Sequence, residues 1–221
     1  MSSLKFNGTP TDYVEVADNA GFSVATTNSL SVSAWMRPDA LTFPNSESTG
    51  YVHWMGKGED GQDEWTFRMY NETTTDVPPR PNRISFYVFN LVGHEGVGSY
   101  FQEPVQAGEW IHVVGVADGQ NTSIYKNGVF RQSQSYAGII TPQPGAAPLR
   151  MATRDFKSFF LGSIRGVRIW NRVLTAAEVQ MVFTSTIPQD GLVAEYLLEK
   201  DIVPDEVGQH NGQIFGAVWT Q

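Results

Sequence analysis

Trp110-Ile111-His112-Val113-Val114-Gly115-Val116-Ala117, Asp118-Gly119, Thr122-Ser123-Ile124-Tyr125 and Lys126-Asn127-Gly128 read in order as strand, turn, strand and hairpin. β-branched and aromatic residues fit a pleated, half-buried surface, and Asn-Gly supplies the positive φ angles that a two-residue hairpin needs. The same pattern extends to both ends of the chain. Runs at 4–7, 13–16, 30–37, 51–55, 65–70, 84–89 and 98–101 come before it, and runs at 128–132, 149–152, 162–170, 192–198 and 213–219 come after. These make about fourteen strands, and helical patterns do not alternate with them as a parallel βαβ sheet would require. The expectation is therefore an all-β, antiparallel two-sheet β-sandwich.

One segment departs from the pattern. Thr175 and Glu178 have the spacing of a capping box, in which each side chain satisfies a backbone N–H of the other, so one short helix is predicted near 175–183. Leu174 and Val179 are spaced as a hydrophobic staple, Val179, Val182 and Phe183 form the stripe to be buried, and Pro188 stops any long continuation. Two long loops, 71–82 and 137–148, interrupt the strands without a shift in composition, so residues 1–221 read as a single domain.

Composition narrows the chemistry. The 221 residues carry a formal net charge of −8, the wrong sign for a surface that must neutralise phosphates, so nucleic acid is not an expected partner. With no cysteine, thiol nucleophiles, thiolate metal sites and disulfides are excluded. At 41% hydrophobic and 17% charged residues the chain should fold, and no run is long and apolar enough to predict a membrane span or a secretion signal.

Three stretches carry a resemblance. Leu4-Lys5-Phe6-Asn7-Gly8 with Asp12-Tyr13-Val14-Glu15-Val16 is similar to the opening of the laminin-G-like, concanavalin A-like jelly rolls, a group that includes the pentraxins. Leu30-Ser31-Val32-Ser33-Ala34-Trp35-Met36-Arg37-Pro38 resembles their next strand. Gly108-Glu109-Trp110-Ile111-His112, Tyr125-Lys126-Asn127-Gly128 and Phe160-Leu161-Gly162-Ser163-Ile164 through Leu174 follow the family's order and spacing. The resemblance covers nearly the whole chain. It implies a jelly roll, an extracellular setting, and a binding module for glycan or polysaccharide, with a protein surface as the alternative partner. The tail from Gly191 resembles a phrase that usually precedes such a domain, and it is expected to pair beside the strand at 4–7.

Catalytic patterns are weak. A laminarinase-type E-x-D-x-x-E would align three carboxylates on one strand face, but Glu199-Lys200-Asp201-Ile202-Val203-Pro204 puts proline at the last position. Gly21-Phe22-Ser23-Val24-Ala25 lacks the final glycine and the following helical pattern of a nucleophile elbow, so Ser23 reads as a surface loop residue. The four histidines form no zinc motif, and His112, inside an apolar strand, reads as a hydrogen-bonded structural residue. A polysaccharide-cleaving enzyme is thus the third alternative.

Glu59, Asp60, Asp63 and Glu64 form the densest acidic cluster, and calcium takes six to eight oxygen ligands from such loops. By position, the pentraxin resemblance implies Asp63 and Glu64 as one calcium-binding pair and Asp155 as the remnant of a second group. Together with Asp60 they would hold one ion. For a sugar, aromatic faces and fixed polar side chains are needed. Trp54, Trp65, Tyr70, Tyr87, Tyr100 and Phe101 fall on or beside predicted strands, and most should be core. Trp65, Tyr100 and His94, with Arg154 and Asp155 in a turn, are the expected ligand contacts.

Overall fold

The computed structural model describes residues 2–71, 79–91 and 95–220. Seven strands form the first half: β1 Ser3–Asn7, β2 Tyr13–Val16, β3 Leu30–Pro38, β4 Tyr51–Lys57, β5 Trp65–Tyr70, β6 Ile84–Phe89 and β7 Gly96–Phe101. Eight follow: β8 Ile111–Ala117, β9 Asn121–Lys126, β10 Val129–Ser135, β11 Leu149–Met151, β12 Leu161–Trp170, β13 Leu192–Tyr196, β14 Gln213–Phe215 and β15 Val218–Thr220. Two helices join them, α1 Val24–Thr27 and α2 Ala176–Phe183.

The strands form two antiparallel sheets. One runs β10-β9-β8-β3-β12-β1-β15, with β13 also paired to β12, and the other runs β14-β2-β11-β4-β5-β6-β7. Alternation along each strand sends one set of side chains between the sheets. Phe6, Val32, Met36 and Ile164 from the first sheet meet Trp54, Phe67, Phe86 and Leu149 from the second, all fully buried. Trp54 stacks on Phe67 with centroids 4.8 Å apart, and Phe67 meets Phe86 at 4.9 Å.

A smaller apolar cluster lies on the outer face of the eight-stranded sheet. Val114, Val116, Trp170 and Leu174 are covered there by Val179 and Val182 of α2. The capping box forms as predicted: Glu178 N donates to Thr175 Oγ1, and Thr175 N donates to Glu178 Oε2. Arg172 adds a bidentate grip on Glu178, whose carboxyl is held down at about 2, chiefly by that contact. Phe183 leaves the expected buried stripe and lies against Trp35 instead, centroids 5.7 Å apart.

Three expectations need correction. The run at 213–219 is two strands, because Gly216 at φ +60° turns the chain between sheets. β14 pairs with β2, while β15 pairs with β1 in the register Ser3↔Thr220 and Leu4↔Trp219, so the tail does lie beside the first strand. Ser23 is buried rather than on a surface loop, and a single helical turn, α1, follows it. His112 is structural but not hydrogen-bonded through its ring among the described residues; the imidazole lies instead near Trp35 at 5.1 Å and Phe183 at 5.8 Å. Among the described residues no helix is long and apolar enough to cross a membrane.

Candidate functional site

The outer face of the seven-stranded sheet follows from simple alternation. On β5, Trp65, Phe67 and Met69 enter the core, which turns Thr66, Arg68 and Tyr70 outward. On β6, Ile84, Phe86 and Val88 enter, which turns out Ser85, Tyr87 and Phe89. Register then sets a row across four strands, His53, Arg68, Ser85 and Tyr100. Thr66, Tyr87 and Gly98 form the next row.

Arginine and tyrosine dominate one half of this face. The Arg68 guanidinium lies 4.0 Å from the Tyr51 ring centre and 3.9 Å from that of Tyr87. A cation over a ring face is attracted by the quadrupole, more strongly once water is excluded. Arg83 lies 4.0 Å over Tyr100 and donates from Nε and Nη2 to Gln102 Oε1. Gly98 makes room for Tyr87: a Cβ there would come within 2.2 Å of the ring. Arg68 Nε and Ser85 Oγ are buried without a hydrogen-bond partner among the described residues.

The other half is held by ion pairs. Arg150 on β11 contacts Glu15 at 2.7 Å and Glu59 at 3.2 Å. Arg154 Nη2 lies 2.6 Å from Asp155 and 3.4 Å from Asp63, which joins the loop before β5 to the loop after β11. Between the halves sits His53, with Nδ1 2.9 Å from Thr66 Oγ1 and Nε2 3.2 Å from Glu47. Burial lowers the His53 pKa despite Glu47, so the ring is neutral at pH 7. Burial works to raise Glu47, but His53, Arg154 and Thr49 outweigh it and hold this carboxyl at about 2.

The residues expected from sequence divide accordingly. Tyr100 is half-buried on the face, and Arg154 and Asp155 stand at its ion-paired margin. Trp65 is core: it has no exposed surface, and its indole N–H donates to Phe22 O at 2.8 Å. The alternation that turns Arg68 outward is what turns Trp65 inward. His94 lies outside the described residues. Arg68 and Arg83 were missed, although the 65–70 alternation already placed Arg68 opposite the core.

Each of the four acids proposed for calcium has a basic partner. Asp60 faces Lys157 at 3.2 Å, Glu64 is bonded to the buried Lys57, and Asp63 and Asp155 share the Arg154 guanidinium. Calcium would have to compete for these carboxylates with basic side chains that already supply the counter-charge. No group of three metal-ligating side chains converges among the described residues.

A concavity lies on the opposite face of the sandwich. It is a cleft of about 340 Å³ lined by Trp35, Arg165, Phe183, Leu197 and Glu199. Its indole is already engaged, because Trp35 contacts Phe183 and has Arg165 5.4 Å over its ring.

A two-sheet sandwich of this topology has known counterparts. The sequence model of the concanavalin A-like lectin/glucanases superfamily matches residues 7–180. The chain belongs to that superfamily. No curated protein matches it. Among solved structures of the superfamily fold, it is similar to a candidate carbohydrate-binding protein from Bacteroides ovatus, with TM-score 0.70 and 17% identity. That match covers 100% of this chain but 59% of the other, so the chain spans less than two thirds of that protein's length. The heptameric SAP-like pentraxin of Limulus polyphemus matches with TM-score 0.63 and 13% identity, covering 97% of this chain and 94% of its own. The ligand-binding domain of botulinum neurotoxin serotype D, solved with N-acetylneuraminic acid, matches with TM-score 0.54 and 14% identity, covering 77% and 37%. At these identities the superfamily fold is what the likeness shows.

Proposed function

We propose that the protein is a non-catalytic glycan-binding module whose ligand lies across the outer face of the seven-stranded sheet. The observation that carries this is Arg68, held between Tyr51 and Tyr87 beside a buried serine hydroxyl with no partner among the described residues. Rigid aromatic and polar groups lose little freedom when a ligand arrives, and that combination suits the C–H faces and hydroxyls of sugars. Solved proteins of the same fold that are named for sugar ligands support this class. The non-catalytic part rests on the row itself: His53, Arg68, Ser85 and Tyr100 bring no carboxyl to the face, whereas glycoside cleavage needs a pair.

A glycan array followed by calorimetry tests the proposal. Binding is expected for the wild type, with Tyr87→Ala reducing affinity about fivefold and a chelator leaving it unchanged, because a stacked aromatic contributes on the order of 1 kcal/mol. Absence of binding to any glycan overturns the proposal. A second reading, a module that grips a protein surface, is favoured by Val129 and Phe130, about half exposed on the edge strand β10.

A further inference from the structure

We infer that the ligand of this face is an acidic glycan, one bearing carboxylate or sulfate groups; the inference rests on the glycan-binding reading above. Its basis is the distribution of charge. The chain carries −8 overall, and Arg150, Arg154, Lys157, Arg168 and Arg172 each have a carboxylate within 3.2 Å. Among the described residues Arg68 and Arg83 form no ion pair, although Arg68 is on β5 and Arg83 stands just before β6, where its carbonyl accepts from Tyr70 N. Arg68 is opposite Ser85, and Arg83 lies two residues before Ser85, so the two arginines are diagonal neighbours about 7–8 Å apart at their backbones.

Both guanidinium groups are also held in place. Two tyrosine rings fix Arg68, and Tyr100 with Gln102 fixes Arg83. Arg83 spends its bonds from Nε and Nη2 on one neutral oxygen, and Arg68 donates to no described residue, so N–H donors remain on both. A partly desolvated cation without a counter-ion is costly, and a hydroxyl cannot neutralise it. Carboxylate or sulfate oxygens can, through short charge-assisted bonds that match the guanidinium fork. The excess negative charge of the chain disfavours the continuous phosphates of nucleic acid.

The test is binding to an array holding uronate-rich, sialylated and sulfated glycans beside their methyl-esterified, desialylated and desulfated counterparts. Acidic glycans are expected to bind about tenfold or more tightly than their neutral counterparts, as hydrogen bonds to charged groups would give. Arg68→Gln and, separately, Arg83→Gln should remove that preference in a protein that still folds, with Arg68→Lys recovering part of it. Equal or tighter binding of the neutral members overturns the acidic assignment and leaves glycan binding standing. Binding to no member overturns both. If Arg68→Gln fails to fold, Arg83→Gln decides, and an unaltered preference in a folded Arg83→Gln protein also overturns the assignment.

Discussion

The two outer faces of the sandwich began with the same problem and solved it differently. On the eight-stranded sheet, Val114, Val116 and Trp170 point outward and would be exposed, so α2 lies over them and buries Val179 and Val182 in return. On the seven-stranded sheet the outward residues are Thr66, Arg68, Ser85, Tyr87 and Tyr100, and among the described residues no helix covers them. The apolar outer face is capped by a helix, whereas on the other face Thr66 and Ser85 are buried and Arg68, Tyr87 and Tyr100 stay partly exposed. The difference teaches which face to probe for a ligand.

The contrast can be broken most forcefully at Trp170. Its indole is fully buried beneath α2 and donates to Pro188 O at 2.8 Å, so Trp170→Ala should cost about 3–5 kcal/mol in urea unfolding. Tyr87→Ala, on the open face, should cost about 1 kcal/mol, the scale of a partly exposed cation–π contact. Equal losses would mean that both faces are structural.

Acid sharpens the contrast next. Each face holds one buried histidine: burial, reinforced by Arg168, lowers His112 to about 3, and burial lowers His53. The unfolded chain therefore binds protons near pH 6.5 that the folded chain refuses. Stability should be full above pH 6.5 and fall toward pH 3, by about 1.4 kcal/mol per pH unit for His112 alone. His112→Asn should flatten that limb, and an unchanged pH slope would show that His112 takes up its proton in the folded state. An effect as small as that of Tyr87→Ala belongs to the cap of the covering helix, where Thr175→Ala should lower stability by about 1 kcal/mol in the same measurement.

How much of this was legible depends on distance along the chain. Period-two alternation and the Thr175 to Glu178 spacing are local signals, and they place the strands, α2 and even the outward aim of Arg68. Trp65 was misplaced because its type suggested a sugar platform while its alternation with Phe67 and Met69 pointed to the core. The Arg154 bridge between Asp63 and Asp155 brings together loops some 90 residues apart, so the basic partners of these acids were not legible from local spacing. The Gly216 turn gave no periodic signal, because each flanking strand is only three residues long.

The ladder between β1 and β15 sets how the molecule answers a pull. Ser3 and Thr220 face each other at its outer end, so tension on the two termini bears on one rung at a time instead of shearing all of them together. A module tethered through both ends would yield there at low force, peeling away its last strand first, while the arginine-bearing sheet on the far side of the core stayed shut.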